Sequence, residues 1–437
     1  FYANQQMSFL DDEERYRINA FDWQAEFPEI FTGNTPGFDA VIGNPPYGAA
    51  VTKVESGYLH AKFKATTKDL DTYCLFMELG VRLAKPLGQI SMIVPTGWYS
   101  GAKFSVLRRF TACATDPEVF VNLPYDIFKA WVDTTVFVLT KRAKLSGWPR
   151  TSACHVRLIT FPKRYQITST AEFEDKFGCA NLVDWFGDES DEYLTYADTS
   201  TTAIIRKVQQ KGRPLSEFAD VQRGVTPFNL TESPAHAASR LAFNGTVRRY
   251  SIDRGQTRYV RFDDTLAEPK PERYFKGPRL LLRELISRQF ELQVVKVAED
   301  FVTNKSMQSI LRLSGGPDLN YLLGLMNSRL MSWYFLCRSN VAQRDDFPKI
   351  VLKESRLLPI CPIDFANSSD KARHDRMVEL VDRMLALHKQ LATAKTDHEK
   401  TAIQRQIAAT DREIDNLVYE LYGLTEEEIG IVEGKGR

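Results

Sequence analysis

The stretch Asn44-Pro45-Pro46-Tyr47 combines residue types that suit one kind of chemistry. An exocyclic amine on an aromatic base is a poor nucleophile, because its lone pair is delocalised into the ring. Two carbonyl acceptors can bind its two hydrogens and draw the nitrogen towards a tetrahedral shape. The Asn44 side-chain oxygen and the Pro45 backbone oxygen are candidates for those acceptors. Pro46 stiffens the turn, since proline has a fixed φ and no N–H to donate. Tyr47 offers a ring on which a base can stack, worth roughly 1–3 kcal/mol. The plain alternative is a turn that ends a strand, for which Asn-Pro is a common pair.

These residues need a rigid support. The apolar run Phe38–Ile42 predicts a buried strand of a parallel sheet, stopping at Gly43. Asn44 then stands at the carboxyl end of a strand, where ligands bind in open α/β sheets. The polar stretch 49–68 predicts a loop over the site. Leu75, Leu79 and Leu83 recur at helical spacing, and Lys85-Pro86-Leu87-Gly88 is a stop signal before the strand Gln89–Pro95. A helix over Phe104–Ala114 follows. Val119–Leu123 and Val136–Thr140 read as strands, and 145–200 reads as a linker with short elements. Glu13, Glu14, Arg15 and Arg17 suggest a charged helix near the start.

With 437 residues, two or three domains are expected. The expected fold class is α/β: the carboxyl-terminal half of a Rossmann-like sheet, then an α+β domain and a helical hairpin. No apolar run is long enough for a membrane span. The six cysteines are scattered without a Cys-x-x-Cys pair, so neither a metal site nor a disulfide framework is expected, and a reducing cytoplasm is the expected setting. Net charge is +1, but residues 205–364 hold 26 Lys and Arg against 17 Asp and Glu, +9, which leaves −8 for the rest. A basic segment between acidic flanks points to a polyanion partner. Near the end, Met377, Leu380, Met384, Leu387 and Leu391, then Ile403, Ile407, Thr410, Ile414, Leu417 and Leu421, form two heptad seams. They predict an antiparallel helical hairpin, with Ile407 and Leu417 buried.

Asn44-Pro45-Pro46-Tyr47 behind Phe38-Asp39-Ala40-Val41-Ile42-Gly43 resembles the amino-methyltransferases that act on adenine N6 in DNA. Phe27-Pro28-Glu29-Ile30-Phe31 is similar to the restriction–modification branch of that family. Further on, Leu215–Val225, Tyr274–Arg283, Thr303-Asn304-Lys305-Ser306, Leu322–Ser328 and Phe347-Pro348-Lys349-Ile350 resemble the target-recognition domain of TaqI-like and Type IIG enzymes. The matching stretches predict that Tyr274–Arg283 and Thr303–Ser306 are strand-like.

The resemblance implies a site-specific adenine methyltransferase using S-adenosyl-L-methionine on double-stranded DNA, with the target base flipped out of the stack. It implies catalytic roles for Asn44, Pro45, Pro46 and Tyr47. Phe76, Asn44 and Pro46 would meet the cofactor. Tyr47 and Phe128 would stack on the base, although Lys129 stands where the family often has proline. Arg223, Arg279, Arg283 and Lys305 are the candidate DNA contacts. The domains it suggests are 1–150 (partial catalytic domain), 151–204 (linker), 205–365 (target recognition) and 366–437 (hairpin and tail).

No Gly-x-Gly precedes Gly37, and the chain opens on Phe1. The glycine-rich cofactor turn is therefore expected to lie before this chain or on a partner, such as another restriction or defence subunit. The oligomeric state stays open. Two rival readings stand beside the first: part of a bifunctional restriction enzyme, and a DNA-binding specificity module that does not methylate by itself.

Overall fold

The computed structural model describes residues 21–49, 51, 53–65, 71–124, 127, 132–148, 152–161, 165–173, 177–186, 191–339 and 349–434. The charged stretch Glu13–Arg17, Phe128, Phe347 and Pro348 lie outside them. The chain divides into two compact units, Phe1–Thr199 and Ser200–Arg437.

The first unit is built on a six-stranded mixed sheet in the order β1-β2-β4-β3-β5-β6. Its strands are β1 (Phe38–Gly43), β2 (Ala84–Pro95), β3 (Thr115–Asn122), β4 (Thr134–Lys141), β5 (His155–Thr160) and β6 (Phe177–Asn181). The β1–β2 and β3–β5 pairs are parallel, and the other three are antiparallel. β1 lies at an edge among the described strands, so it is not the buried strand that its apolar run predicts. Ile42 is 85% exposed, because no described element covers β1 on the face of the sheet where its side chain stands. Gly37 admits the chain to β1: its φ is +120°, and a Cβ there would stand 2.6 Å from the Lys85 nitrogen.

The stretch read as a loop after Tyr47 carries α1 (Lys53–Lys62). Helix α2 (Thr72–Leu83) runs back to β2, and α3 (Ser105–Ala114) leads into β3. The stretch read as a linker is structured: β5 and β6 extend the sheet, which no local periodicity announced. An aromatic cluster fills one side of this unit, with Trp98, Tyr99, Phe120, Phe137 and Tyr193 all buried. Buried Arg108 pairs with Asp191 at 2.5 Å and ties α3 to the segment that follows β6.

In the second unit, α4 (Thr199–Lys211) precedes a four-stranded antiparallel sheet. Its strands are β7 (Ala219–Arg223), β8 (Arg279–Arg283), β9 (Val294–Val297) and β10 (Met307–Arg312), in the order β9-β8-β10-β7. Thr303–Ser306, expected to be strand-like, forms the turn into β10 instead, where Asn304 Oδ1 accepts from the Ser306 nitrogen at 2.9 Å. Helix α5 (Leu319–Asn327) is buried along its whole length.

Helices α6 (Ser368–Thr393) and α7 (Asp397–Tyr422) make the hairpin. Arg376 and Arg383 both reach Glu413, while Arg373 reaches Glu420, a pairing order that fixes the helices as antiparallel. Gly324 of α5 lets Met377 and Val381 close on it, so the proximal half of the hairpin packs on this unit. Ile414 and Leu417 are buried, but Ile407 is only half-buried, because the distal half has just its hairpin partner to cover it.

Candidate active site

β1 ends at Gly43, and the chain passes through Asn44, Pro45 and Pro46 without a backbone donor at either proline. Asn44 and Pro46 are exposed, Pro45 is buried and Tyr47 is half-buried. Loops of this kind need anchors, and three are present. The Tyr47 hydroxyl donates to the Ile93 carbonyl on β2 at 2.9 Å and reaches Asn44 Oδ1 at 3.2 Å. Gly43 pairs with Met92, so Tyr47 folds back over the next residue of the neighbouring strand. The Thr72 hydroxyl donates to the Pro46 carbonyl at 2.7 Å. The Gly48 nitrogen donates to Asp71 Oδ1 at 3.3 Å.

Burial raises the Tyr47 pKa above the usual phenol range, so the group keeps its proton and remains a donor at neutral pH. That one proton serves two acceptors, and the Asn44 oxygen keeps lone-pair capacity for another donor. Among the described residues no group donates to the Pro45 carbonyl. The loop therefore presents two partly free acceptors, Asn44 Oδ1 and Pro45 O, at the carboxyl end of β1. Tyr73 meets the Tyr47 ring edge-on, with centroids 6.4 Å apart.

Phe76 is 42% exposed on α2, whose neighbouring positions Thr72–Leu75, Met77 and Glu78 are all buried. It is not a core phenylalanine. Asp71 and Thr72 escaped the sequence reading. A Ser, Thr or Asp at a helix start is read as a local cap, and nothing in the sequence says that such a side chain reaches another loop.

In the second unit, three of the four candidate cationic residues lie at one end of the sheet. Leu282, Gln308 and Arg223 are in register across the sheet, and Arg283 pairs with Met307, which the turn at Lys305 precedes. Arg223, Arg283 and Lys305 therefore share one end of the sheet. Lys305 is exposed, Arg283 is half-buried, and Arg223 pairs with Glu284 at 3.1 Å. Ile350 donates its N–H to the Glu284 carbonyl at 2.8 Å and Lys349 bridges to Leu285, which adds a fourth cation there.

Arg279 does not belong to this group. It is fully buried and donates to the carbonyls of Gly277, Glu299 and Phe301, with its guanidinium 4.7 Å from the centre of the Phe301 ring. Burial pushes its pKa down to about 10. Its role is structural, and the expectation of a DNA contact at Arg279 fails. Among the described residues no group of three or more His, Cys, Asp or Glu is placed to hold a metal ion, and no helix is long and apolar enough to cross a membrane.

Two family profiles match the chain: the Eco57I restriction-modification methylase over residues 2–128, and the TaqI-like C-terminal specificity domain over residues 241–360. A protein of Methanocaldococcus jannaschii named as a type II restriction enzyme and methyltransferase is 25% identical over 80% of this chain and 29% of its own length. The type II methyltransferase M.TthHB8I of Thermus thermophilus is 34% identical over 19% of this chain and 22% of its own. The solved Type IIL restriction-modification enzyme MmeI, in complex with DNA, shares the fold with a TM-score of 0.54 at 10% identity, over 90% of this chain and 56% of that one. The chain spans less than a third of the length of the curated relatives that it matches. The chain thus carries an Eco57I restriction-modification methylase domain over residues 2–128, which holds the Asn-Pro-Pro-Tyr loop, and a TaqI-like C-terminal specificity domain over residues 241–360.

Proposed function

We propose that the protein to which this chain belongs methylates adenine N6 at a specific site in double-stranded DNA, with S-adenosyl-L-methionine as the methyl donor. The observation that supports this most directly is the pair of acceptors at the end of β1: Asn44 Oδ1 and the Pro45 carbonyl, on a loop with no N–H at either proline. An adenine amine has two hydrogens to give. Binding both withdraws the nitrogen lone pair from the ring and aims it, so positioning provides most of the catalysis.

The target atom lies inside the base stack, so the adenine must be flipped out, at about a few kcal/mol. The Tyr47 ring is a stacking partner for the flipped base. Phe128, by the family pattern, is the second; it lies outside the described residues. Phe76, with its exposed ring on an otherwise buried stretch of α2, together with Asn44 and Pro46, fits a cofactor carrying an adenine ring and a polar tail. What the cofactor supplies when bound is an electrophilic methyl group. Arg223, Arg283 and Lys305 are the DNA contacts of the second unit, holding phosphates or reading base edges. The domain division proposed earlier fits best with 151–199 joined to the catalytic part.

The test is single-turnover methylation of a duplex carrying the recognised site by the full-length protein, with N6-methyladenine identified by mass spectrometry. Methyl groups on cytosine, or none at all, would sink the reading.

A further inference from the structure

We propose that Thr72 and Asp71 are positioning residues for methyl transfer: they grip the backbone on both sides of Tyr47 and so decide which carbonyl of the Pro-Pro turn faces the substrate amine. The proposal rests on the reading above that the Asn44–Tyr47 loop is the transfer site.

Asp71 occupies the N-cap position of α2, with extended φ −119° and ψ 124°. An aspartate there ordinarily accepts from an N–H in the first turn of its own helix, a bond that stabilises the helix start. Asp71 makes no such bond. Its Oδ1 takes the Gly48 N–H at 3.3 Å instead, and its Oδ2 stands 4.0 Å from Lys103 Nζ. Thr72 is the first residue of the helix and is buried, yet its hydroxyl also reaches out of the helix, to the Pro46 carbonyl at 2.7 Å. Two neighbouring side chains that could serve their own helix both serve the loop.

The contacts fall where the turn has freedom left. Proline fixes φ at Pro45 and Pro46, and Pro46 in turn restricts ψ at Pro45, so the peptide plane after Pro46 is the one left to rotate. Thr72 fixes the plane after Pro46. Asp71 fixes the N–H of Gly48, which has a left-handed φ of +61°. With the Pro46 carbonyl held by Thr72, the Pro45 carbonyl is the one without a protein donor among the described residues. The Thr72 hydroxyl therefore selects the second amine acceptor. Loss of this grip shifts the acceptors by a fraction of an ångström or more, and a displacement of about 1 Å can cost about 10²-fold in rate.

The experiment compares Thr72→Val, Thr72→Ser, Asp71→Ala and Asn44→Ala in the full-length protein. It reads single-turnover methylation, DNA affinity, melting temperature, and the fluorescence of 2-aminopurine at the target position as a report of base extrusion. Valine matches threonine in shape but has no hydroxyl. Thr72→Val is expected to slow transfer by about 10- to 100-fold with DNA affinity, extrusion and melting unchanged. Thr72→Ser is expected to restore the rate to within roughly threefold, because the hydroxyl is what matters. If Thr72→Val melts early, Asp71→Ala carries the test, since Asp71 keeps 22% of its side chain exposed. It should slow transfer without altering melting. A wild-type rate in Asp71→Ala, or no recovery with serine, overturns the proposal. Wild-type transfer by Thr72→Val beside an inactive Asn44→Ala overturns it and leaves the active-site reading intact, whereas wild-type transfer by Asn44→Ala removes that reading itself.

Discussion

Tyr47 holds Asn44: its hydroxyl reaches Asn44 Oδ1 at 3.2 Å while anchored on the Ile93 carbonyl at 2.9 Å. The aromatic residue of the motif is thus a tether, a role that can be separated from the stacking proposed for its ring. Tyr47→Phe keeps the ring and loses both bonds. It is expected to capture the flipped base nearly as well as the native protein but to transfer the methyl group about tenfold more slowly, about 1.4 kcal/mol. Tyr47→Ala should lose capture too, by the roughly 1–3 kcal/mol of a base–aromatic stack. Extrusion measured by 2-aminopurine fluorescence, set beside the single-turnover rate, distinguishes them. Equal extrusion by the two variants would show that the ring does not stack on the base.

Asn44 itself should behave as a preorganised polar group. Asn44→Ala leaves the Pro-Pro turn and the Thr72 bond in place, so DNA binding and melting should hold. Methyl transfer should fall by about 10²–10³.

The basic end of the second sheet makes a prediction about salt. If Arg283 and Lys305 contact phosphates, replacing either by alanine should lower affinity for all DNA sequences and reduce the slope of log K against log salt by ~1. Melting should not change. Relaxed specificity at one base pair, with the slope intact, would mean base reading instead. Arg279→Ala should do neither. It orphans three carbonyls and leaves a space beside Phe301, so a loss of about 3 kcal/mol or more in stability is expected, with DNA affinity of the folded protein retained.

The hairpin should respond unequally along its length. Ile414 is fully buried and Ile407 is not. Ile414→Asp is expected to cost several kcal/mol, since an unpaired charge cannot be accommodated there. Ile407→Asp, nearer the hairpin tip, can turn towards water and should cost clearly less. Equal drops in melting temperature would mean that the distal seam is as well covered as the proximal one.

Asp415 gives a pH signature. Burial pushes its carboxyl up to about 6 from 3.8; the Arg329 N–H bond and the charges of Arg249 and Arg329 pull down, and Asp411 pushes up. A raised acid pKa means that the folded state binds the proton more tightly than the unfolded one. The stability this contributes is fully present below about pH 4 and is lost as pH rises through about 6. Asp415→Asn keeps an acceptor for the Arg329 N–H and cannot ionise. The melting temperature of the native protein relative to this variant should therefore fall between about pH 4 and 6 and stay level above. A constant difference across that range would show that Asp415 does not titrate in this window.

What depends on near neighbours was legible in the amino-acid order. The end of β1 at Gly43, the rigid Asn44–Tyr47 turn, a helix that stops near Pro86 and the two heptad seams follow from proline, glycine and apolar spacing, which act within a few residues, although β2 already starts at Ala84 rather than at Gln89. The family was legible there too, in the Asn-Pro-Pro-Tyr motif and its apolar lead-in. Tertiary structure decided what depends on remote partners. Composition cannot say that β1 stands at an edge among the described strands with Ile42 exposed, or that β5 and β6 extend the sheet, because a ladder is chosen by the whole layer of strands. Nor can it tell Arg279 from Arg283. Both end the same five-residue strand, but Phe301 and three carbonyls enclose the first, while the second stands with Lys305 at the solvent end of the sheet. Asp71 and Thr72 look like an ordinary helix start. Only the fold, which brings the start of α2 beside the Pro46–Gly48 backbone, turns their side chains from the helix to the loop.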